Sequence, residues 1–417
     1  MLTVNTQHNM ASKLVALSIC VGCCAVNALV QAAIAFQGTI YRVDRTTIAK
    51  SISEPSIQAF DISPNGALLT LLVRSGSTEK SQLWLLIQEI RTGVVLKRLQ
   101  IGFLEGKYIR GFSPQIPHVR FTSNGKLLVV QDLQKVQVLE TQTYGVVRSI
   151  EPPATGTFKL PVSVLGASDG DIFAISYGTG RGPDEAGREI VQVELVDVSN
   201  GKRLAKWEAP DIPQSLSPMG KFVAVSDWSS LQSLLPLQII DAMTGKKVTT
   251  LNGGYGLGRV RRDPGVLGNV VGRFFSEDEI LLSPGEGWDD SGHYAGKSLK
   301  LVRISDGKTL QEFKPQQYGP DNEMAISGNR KAFVAISNYF SPYVQTHDIA
   351  LPSNYGPQLL MFSFKKAHIE LFPKLNFSGL EIYGKAEMMR PCISFDASVI
   401  AIATEAGVTI FERPAGL

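Results

Sequence analysis

Three stretches of the chain gather side chains able to do chemistry. The first, 252–272, sets Tyr255, Arg259, Arg261, Arg262 and Asp263 among glycines. Guanidinium forks of this kind suit a carboxylate or phosphate. A solvated or internally paired loop competes with that reading, because exposed charges contribute little. The second, 283–298, holds Glu286, Trp288, Asp289, Asp290, His293 and Tyr294. Oxygen and imidazole donors so close together can hold a divalent cation. With a single histidine and no calcium-loop spacing, the expectation is no metal. The third, 338–357, carries Tyr339, Tyr343, His347, Asp348 and Tyr355, aromatic groups that suit a protein or glycan contact as well as packing of the loop on its own scaffold.

None of these stretches makes a catalytic constellation. His118, His293, His347 and His368 lie far apart in sequence. Gly-x-Ser-x-Gly, His-Glu-x-x-His and phosphate-loop motifs do not occur, and no acid/base pair can be assigned. The expectation is therefore no catalytic residue and no cofactor. Cys392 falls in the apolar run Cys392-Ile393-Ser394-Phe395 and reads as a small buried hydrophobe. Asn376-Phe377-Ser378 is a glycosylation sequon, relevant only in a eukaryotic secretory host.

The elements that must position these residues repeat. Gln214–Leu251 has a short strand, the turn Ser217-Pro218-Met219-Gly220-Lys221, an apolar strand, a third strand to Ile240, the turn Asp241–Lys246 and a fourth strand. Proline presets φ at such a turn and glycine is free to take φ > 0. Related units start at Phe60, Arg120, Ala167, Phe274, Ala325 and Ile393. Seven units of about 45–65 residues each match the length of propeller blades. Their strands are continuous apolar runs, such as Leu68–Val73 and Val399–Ala403. Strands buried on both faces read this way, whereas a two-sheet sandwich alternates. The predicted fold is all-β: a seven-bladed β-propeller forming one domain over 36–417. The seventh unit supplies three strands, and unassigned strand candidates at 38–43 and 46–52 are available to complete it and close the ring.

The spacing S-P-x-G-K, apolar strand, then apolar strand-D-x-x-T-G-K resembles the YVTN-type and WD40-like β-propeller superfamily. Ser217–Lys221 with Ile240–Lys246 matches best, and the resemblance covers 60–413. The Gly-His and Trp-Asp dipeptides of WD40 repeats are absent from their usual places. Propellers of this group include binders, scaffolds and some enzymes. The leading expectation is a non-enzymatic ligand- or protein-binding scaffold. The alternatives are a YVTN-like hydrolase or lactonase, and a quinone-cofactor or outer-membrane-assembly propeller. The last rests on Asp197–Lys202 with Trp207, which resembles a tryptophan-docking repeat.

In an up-and-down blade the first-to-second and third-to-fourth turns share one face of the disc. Here they are tight, and the connections on the other face are long: 177–189, 227–236, 252–272, 283–298, 314–324, 338–357 and 373–391. Function usually sits on long loops held by a rigid scaffold. The predicted contacts are Arg259, Arg261, Trp288, His293, Tyr339 and His347, facing an unknown protein, glycan or small ligand.

The chain has 417 residues, is 44% hydrophobic and 19% charged, and carries a net charge of +3. It can bury a large core, and its charge argues against a nucleic-acid partner. Residues 1–35 read as a signal peptide: Lys13, the apolar run Leu14–Val30, then Ala33-Ile34-Ala35 before Phe36. Retained, the segment is long enough to anchor the chain in a membrane, its one expected membrane contact. Cleaved, it takes Cys20, Cys23 and Cys24 with it and leaves only Cys392, so no internal disulfide forms. The expectation is an exported monomer, periplasmic or extracellular.

Overall fold

The computed structural model describes residues 32–76, 80–105, 117–132, 134–153, 160–178, 190–226, 236–251, 271–283, 299–313, 320–337, 358–364, 368–372, 391–404 and 407–414. They form seven antiparallel sheets, each built from strands consecutive in sequence apart from additions by the N-terminus. Blade 1 is Pro55–Ile62, Leu68–Ser75, Lys80–Glu89 and Val95–Glu105. Blade 2 is His118–Phe121, Leu127–Gln131, Val136–Glu140 and Val146–Ile150. Blade 3 is Leu160–Gly166, Ile172–Gly178, Val191–Asp197 and Lys202–Ala209. Blade 4 is Pro213–Leu216, Phe222–Ser226, Leu237–Asp241 and Lys247–Leu251. Blade 5 is Val271–Phe274, Glu279–Ser283, Leu299–Arg303 and Thr309–Phe313. Blade 6 is Pro320–Ile326, Ala332–Ser337, Gln358–Ser363 and His368–Leu371, and blade 7 is Cys392–Ile393, Val399–Thr404 and Gly407–Glu412. The first strands pack on one another in cyclic order, and that of blade 7 returns to that of blade 1. The molecule is a seven-bladed β-propeller.

The hydrophobic core is divided among the blade interfaces. The described residues contain seven apolar clusters, one for each pair of neighbours. Val129, Val138, Phe173 and Ile175 join blades 2 and 3. Leu281, Phe313, Phe333 and Phe362 join blades 5 and 6. Phe60, Leu71, Val399 and Ile410 join blades 7 and 1. The middle strands are covered on both sides, which is why Val399–Thr404 is buried at every position.

The tight turns are held by one repeated device. The backbone N–H of Leu68 donates to Ser63 Oγ at 2.9 Å, that of Phe222 to Ser217 Oγ at 2.8 Å, and that of Val399 to Ser394 Oγ at 3.0 Å. The fourth turn position takes positive φ and is Gly66, Gly125 or Gly220 in three blades, but Arg330 in blade 6 and Ala397 in blade 7. Neighbouring turns are also tied together: Asp169 N–H donates to Pro218 O, Asn329 N–H to Phe395 O, and Phe395 N–H to Pro64 O.

The N-terminal region adds to two blades. Thr39–Asp44 pairs antiparallel with Gly407–Glu412 as the fourth strand of blade 7. Ala32–Ala35, at the end of the predicted targeting segment, pairs in parallel with His368–Leu371 as a fifth strand of blade 6. The second strand candidate, 46–52, is corrected. Arg45–Ala49 is a short helix. Ile48 and Ile52, one helical turn apart, both enter the cluster between blades 7 and 1, and Ile48 O accepts the N–H of Ile52. Burial at i and i+4 selects a helical turn over a strand, which would put those two residues farther apart. Among the described residues no helix is long and apolar enough to cross a membrane.

Candidate functional site

Counting back two residues from the first residue of each tight turn gives one position per blade: Asp61, Arg120, Leu165, Ser215, Arg273, Ala325 and Cys392. All seven line a single cavity of about 270 Å³ on the propeller axis. The turns themselves complete its wall, with Pro64, Ser123, Ser168, Gly328 and Phe395 among the contributors. The cavity therefore lies at the tight-turn end of the channel. It is formed by the ends of the first strands together with the turns that follow them.

The ring is chemically uneven. Blades 7, 1 and 2 bring together Cys392, Asp61 and Arg120. Asp61 Oδ2 accepts the N–H of Phe121 at 2.8 Å, and its Oδ1 stands 3.7 Å from Arg120 Nη1. The same guanidinium nitrogen lies 3.8 Å from Cys392 Sγ, and the thiol points to Phe60 O at 3.5 Å. Burial raises the Asp61 carboxyl above its ordinary value, outweighing the attraction of Arg120. Burial, then the neighbouring Asp61, pushes the Cys392 thiol up to about 12. At neutral pH Cys392 is thus a protonated thiol, and its chemistry is that of a small buried side chain.

Blades 4 and 5 supply the opposite wall. Arg273 Nη1 donates to Gln214 O at 2.6 Å, Gly272 N–H to Gln214 Oε1 at 3.2 Å, and Ser215 Oγ to Gly272 O at 2.8 Å. These bonds lock the two first strands together and fix the arginine on the cavity wall. At the mouth, Arg330 of blade 6 pairs with Asp169 of blade 3, across the axis. Arg330 holds positive φ of 56° to do so. Its Nε is buried with no hydrogen-bond partner among the described residues.

The predicted contacts Arg259, Arg261, Trp288, His293, Tyr339 and His347 lie outside the described residues, as does the possible cation cluster in 284–298. Of the other histidines, His118 is buried at the start of the first strand of blade 2, and His368 opens the fourth strand of blade 6. Among the described residues no three His, Cys, Asp or Glu side chains gather as a metal site. Sequence reading missed Asp61, Arg120, Arg273 and Arg330. A signal was present, since Arg-Phe precedes the turn in both blade 2 and blade 5, but it emerges only when the units are aligned on their turns.

Trp207 does dock between blades. Its Nε1 donates to Ala242 O in the third-to-fourth turn of blade 4 at 3.0 Å. The ring lies where a Cβ on Gly245 would stand, 2.6 Å from Trp207 Cβ. Gly245 also takes φ of +68°, so that turn requires glycine on both counts.

In a comparison of folds the chain is similar to a chain of Kuenenia stuttgartiensis hydrazine synthase. The likeness covers 88% of this chain and 97% of that one, at 14% identity and a TM-score of 0.49. No protein-family model matches the chain, and no curated protein matches it in sequence.

Proposed function

We propose that this propeller is a non-enzymatic binding scaffold of the YVTN-type or WD40-like kind, exported to the periplasm or outside the cell, that meets a protein, glycan or small ligand on its long-loop face. One observation carries the preference for binding over catalysis. The titratable groups around the axial cavity serve structural roles: the thiol is protonated, the carboxylate accepts a backbone N–H, and Arg273 is bonded to neighbouring backbone. A nucleophile or general base works from the opposite condition, with a value poised near the operating pH. The long-loop face remains the favoured contact surface because extended connections on a rigid disc are where recognition usually sits.

The test places a photocrosslinking residue at Trp288 or Tyr339, and separately at Met219 or Met243, which are exposed on the tight-turn face. In the native host, adducts are expected from the first pair of positions. Pairwise alanine substitution among Arg259, Arg261, Trp288, His293, Tyr339 and His347 should then weaken binding of the captured partner and leave the melting curve nearly unchanged. Adducts confined to Met219 and Met243 would overturn the choice of face. Hydrolysis of lactones by the purified chain, above the uncatalysed rate, would overturn the non-enzymatic reading.

A further inference from the structure

We propose that the N-terminal apolar segment is retained as a membrane anchor and holds the disc with its tight-turn face against the bilayer, leaving the long-loop face turned away from it. The proposal shares with the preceding reading only the premise that the chain is exported. It adds a lipid surface as a second contact, made by other residues.

The route of the chain through blades 6 and 7 carries the first half. Ala32–Ala35 is the fifth strand of blade 6, the only five-stranded sheet among the described residues. Phe36 then wedges between the two blades, its ring stacked on Phe372 at 4.8 Å and edge-on to Phe411 at 5.3 Å. Gly38 follows, so near Glu412 O that a Cβ would stand 2.2 Å from it. Thr39–Asp44 completes blade 7. Residues 32–44 thus form one strap across two blades. The expected cleavage point, between Ala35 and Phe36, lies in the middle of that strap. A cut there strips the fifth strand from blade 6 and sets a charged ammonium beside an aromatic cluster, where it is poorly solvated. The fold uses both sides of that bond, which favours an uncut chain.

The parallel register gives the direction of approach. Ala32 lies beside His368, the first residue after the short third-to-fourth connection of blade 6. The chain upstream of Ala32 therefore arrives from the tight-turn side of the disc. Residues 14–31, directly before it, contain no charged side chain, and Lys13 stands at their far end. A transmembrane helix needs about 17–25 such residues, and a basic residue marks the cytoplasmic end. No spacer separates this segment from Ala32, so a bilayer crossed by it must lie close to the tight-turn rim of blade 6.

The face that meets the bilayer suits lipid. Val94, Val95 and Leu96 lie at the start of the outer strand of blade 1, Val146 and Val147 at the start of that of blade 2, and Met219 and Met243 in the two tight turns of blade 4; all are exposed. Exposed apolar groups scattered singly are ordinary, but runs of two and three on the same rim of adjacent blades mark a contact surface. Lys126, Lys246 and Lys308 stand exposed in the same set of turns. A lysine lays its stem along apolar surface while its ammonium reaches the headgroups. The carboxylates of those turns are engaged with backbone: Asp241 Oδ1 accepts the N–H of Thr244 at 2.8 Å, and Asp306 Oδ1 that of Lys308 at 3.0 Å.

The experiment uses the full chain in its native host. Membranes are washed with carbonate, and the start of the chain is read by intact mass. Expected is a chain that stays with the membranes and keeps residues 14–31. Release by carbonate, or loss of any part of 14–31, overturns the anchor. Orientation is tested separately, with the full chain reconstituted in vesicles of phosphatidylcholine and phosphatidylglycerol. A photocrosslinking residue is placed at Val147, Met219 or Met243, and at Ile190, exposed at the long-loop end of blade 3, as the control. Lipid adducts are expected at the first three positions and not at Ile190. No lipid adducts at those three, or an equal yield at Ile190, overturns the orientation. Protein adducts at Met219 and Met243 in the host would assign this face to a protein and overturn it as well. A failed search for a partner on the long-loop face leaves both results standing.

Discussion

Asp61 illustrates how one buried carboxylate can work against the fold that holds it. Its side chain is 14% exposed, and desolvation raises its value despite Arg120 nearby. A raised folded value gives stability that is present below the unfolded carboxylate range and is lost as pH rises through the folded value. Asp61→Asn keeps an oxygen for the Phe121 N–H and removes that loss. The variant should therefore exceed the parent in urea midpoint at neutral pH, with the gap closing as pH falls below the folded value of Asp61. A gap that widens on acidification would contradict this assignment. Gly245 makes a second, cleaner case. Gly245→Ala should lower stability by about 2–3 kcal/mol, combining the left-handed penalty with displacement of Trp207 from Ala242 O. Gly307 holds the corresponding turn position in blade 5 at φ of +69°, with nothing within 4 Å of the place a Cβ would take. Gly307→Ala should then cost only the left-handed penalty, about 1–2 kcal/mol. Equal losses in the two variants, by denaturant titration, would show that Trp207 docking contributes nothing.

At the scale of elements, the addition of Thr39–Asp44 to blade 7 is the feature with the largest consequence. Tyr41 Oη donates to Glu412 Oε2 at 2.7 Å, and Arg91 of blade 1 donates to Glu412 Oε1 at 2.6 Å. Val43, Ile48 and Ile52 enter the cluster between blades 7 and 1. A chain lacking 36–54 forfeits those three side chains, about 5 kcal/mol or more. It also leaves the edge of Gly407–Glu412 unpaired. Its melting point should fall by at least about 5 °C; a truncated chain that melts like the parent would refute the role of this segment. Most of the other elements were legible in the sequence because their signals are local and repeated: Ser-x-x-Gly followed by an apolar run marks a turn and strand wherever it occurs. The helix Arg45–Ala49 was not legible, since five residues are too few to display a helical period. Ala32–Ala35 was hidden for another reason. Small apolar residues after a long apolar run carry the pattern of a cleavage site and of an edge strand alike.

For the whole molecule, seven interface clusters arranged in a ring mean that each blade is buried by its two neighbours. No blade can hide its faces alone, so the disc should unfold as a unit rather than peel from one end, as open repeat arrays can. Single-tryptophan variants keeping Trp84 in blade 1 or Trp207 in blade 3 should report the same denaturant midpoint. Two separated midpoints would mean that the ring opens in parts. The same geometry explains why the axial cavity was not read beforehand. Its residues come one from each blade, separated in sequence by about the length of a repeat, and no local spacing relates Arg120 to Arg273.

The pairing of Thr39–Asp44 with Gly407–Glu412 also fixes the timing of completion. Thr39–Asp44 is synthesised well before its partner Gly407–Glu412 and waits for it. Until then blade 7 consists of its outer strand alone, and the cluster between blades 7 and 1 lacks one of its two sides. Blades 1 to 6 can gather in order as they emerge, yet the disc latches only once Gly407–Glu412 is available to pair. The ring is therefore held open for as long as Gly407–Glu412 is unmade, and every blade interface but the one between blades 7 and 1 and the one between blades 6 and 7 can form before it closes.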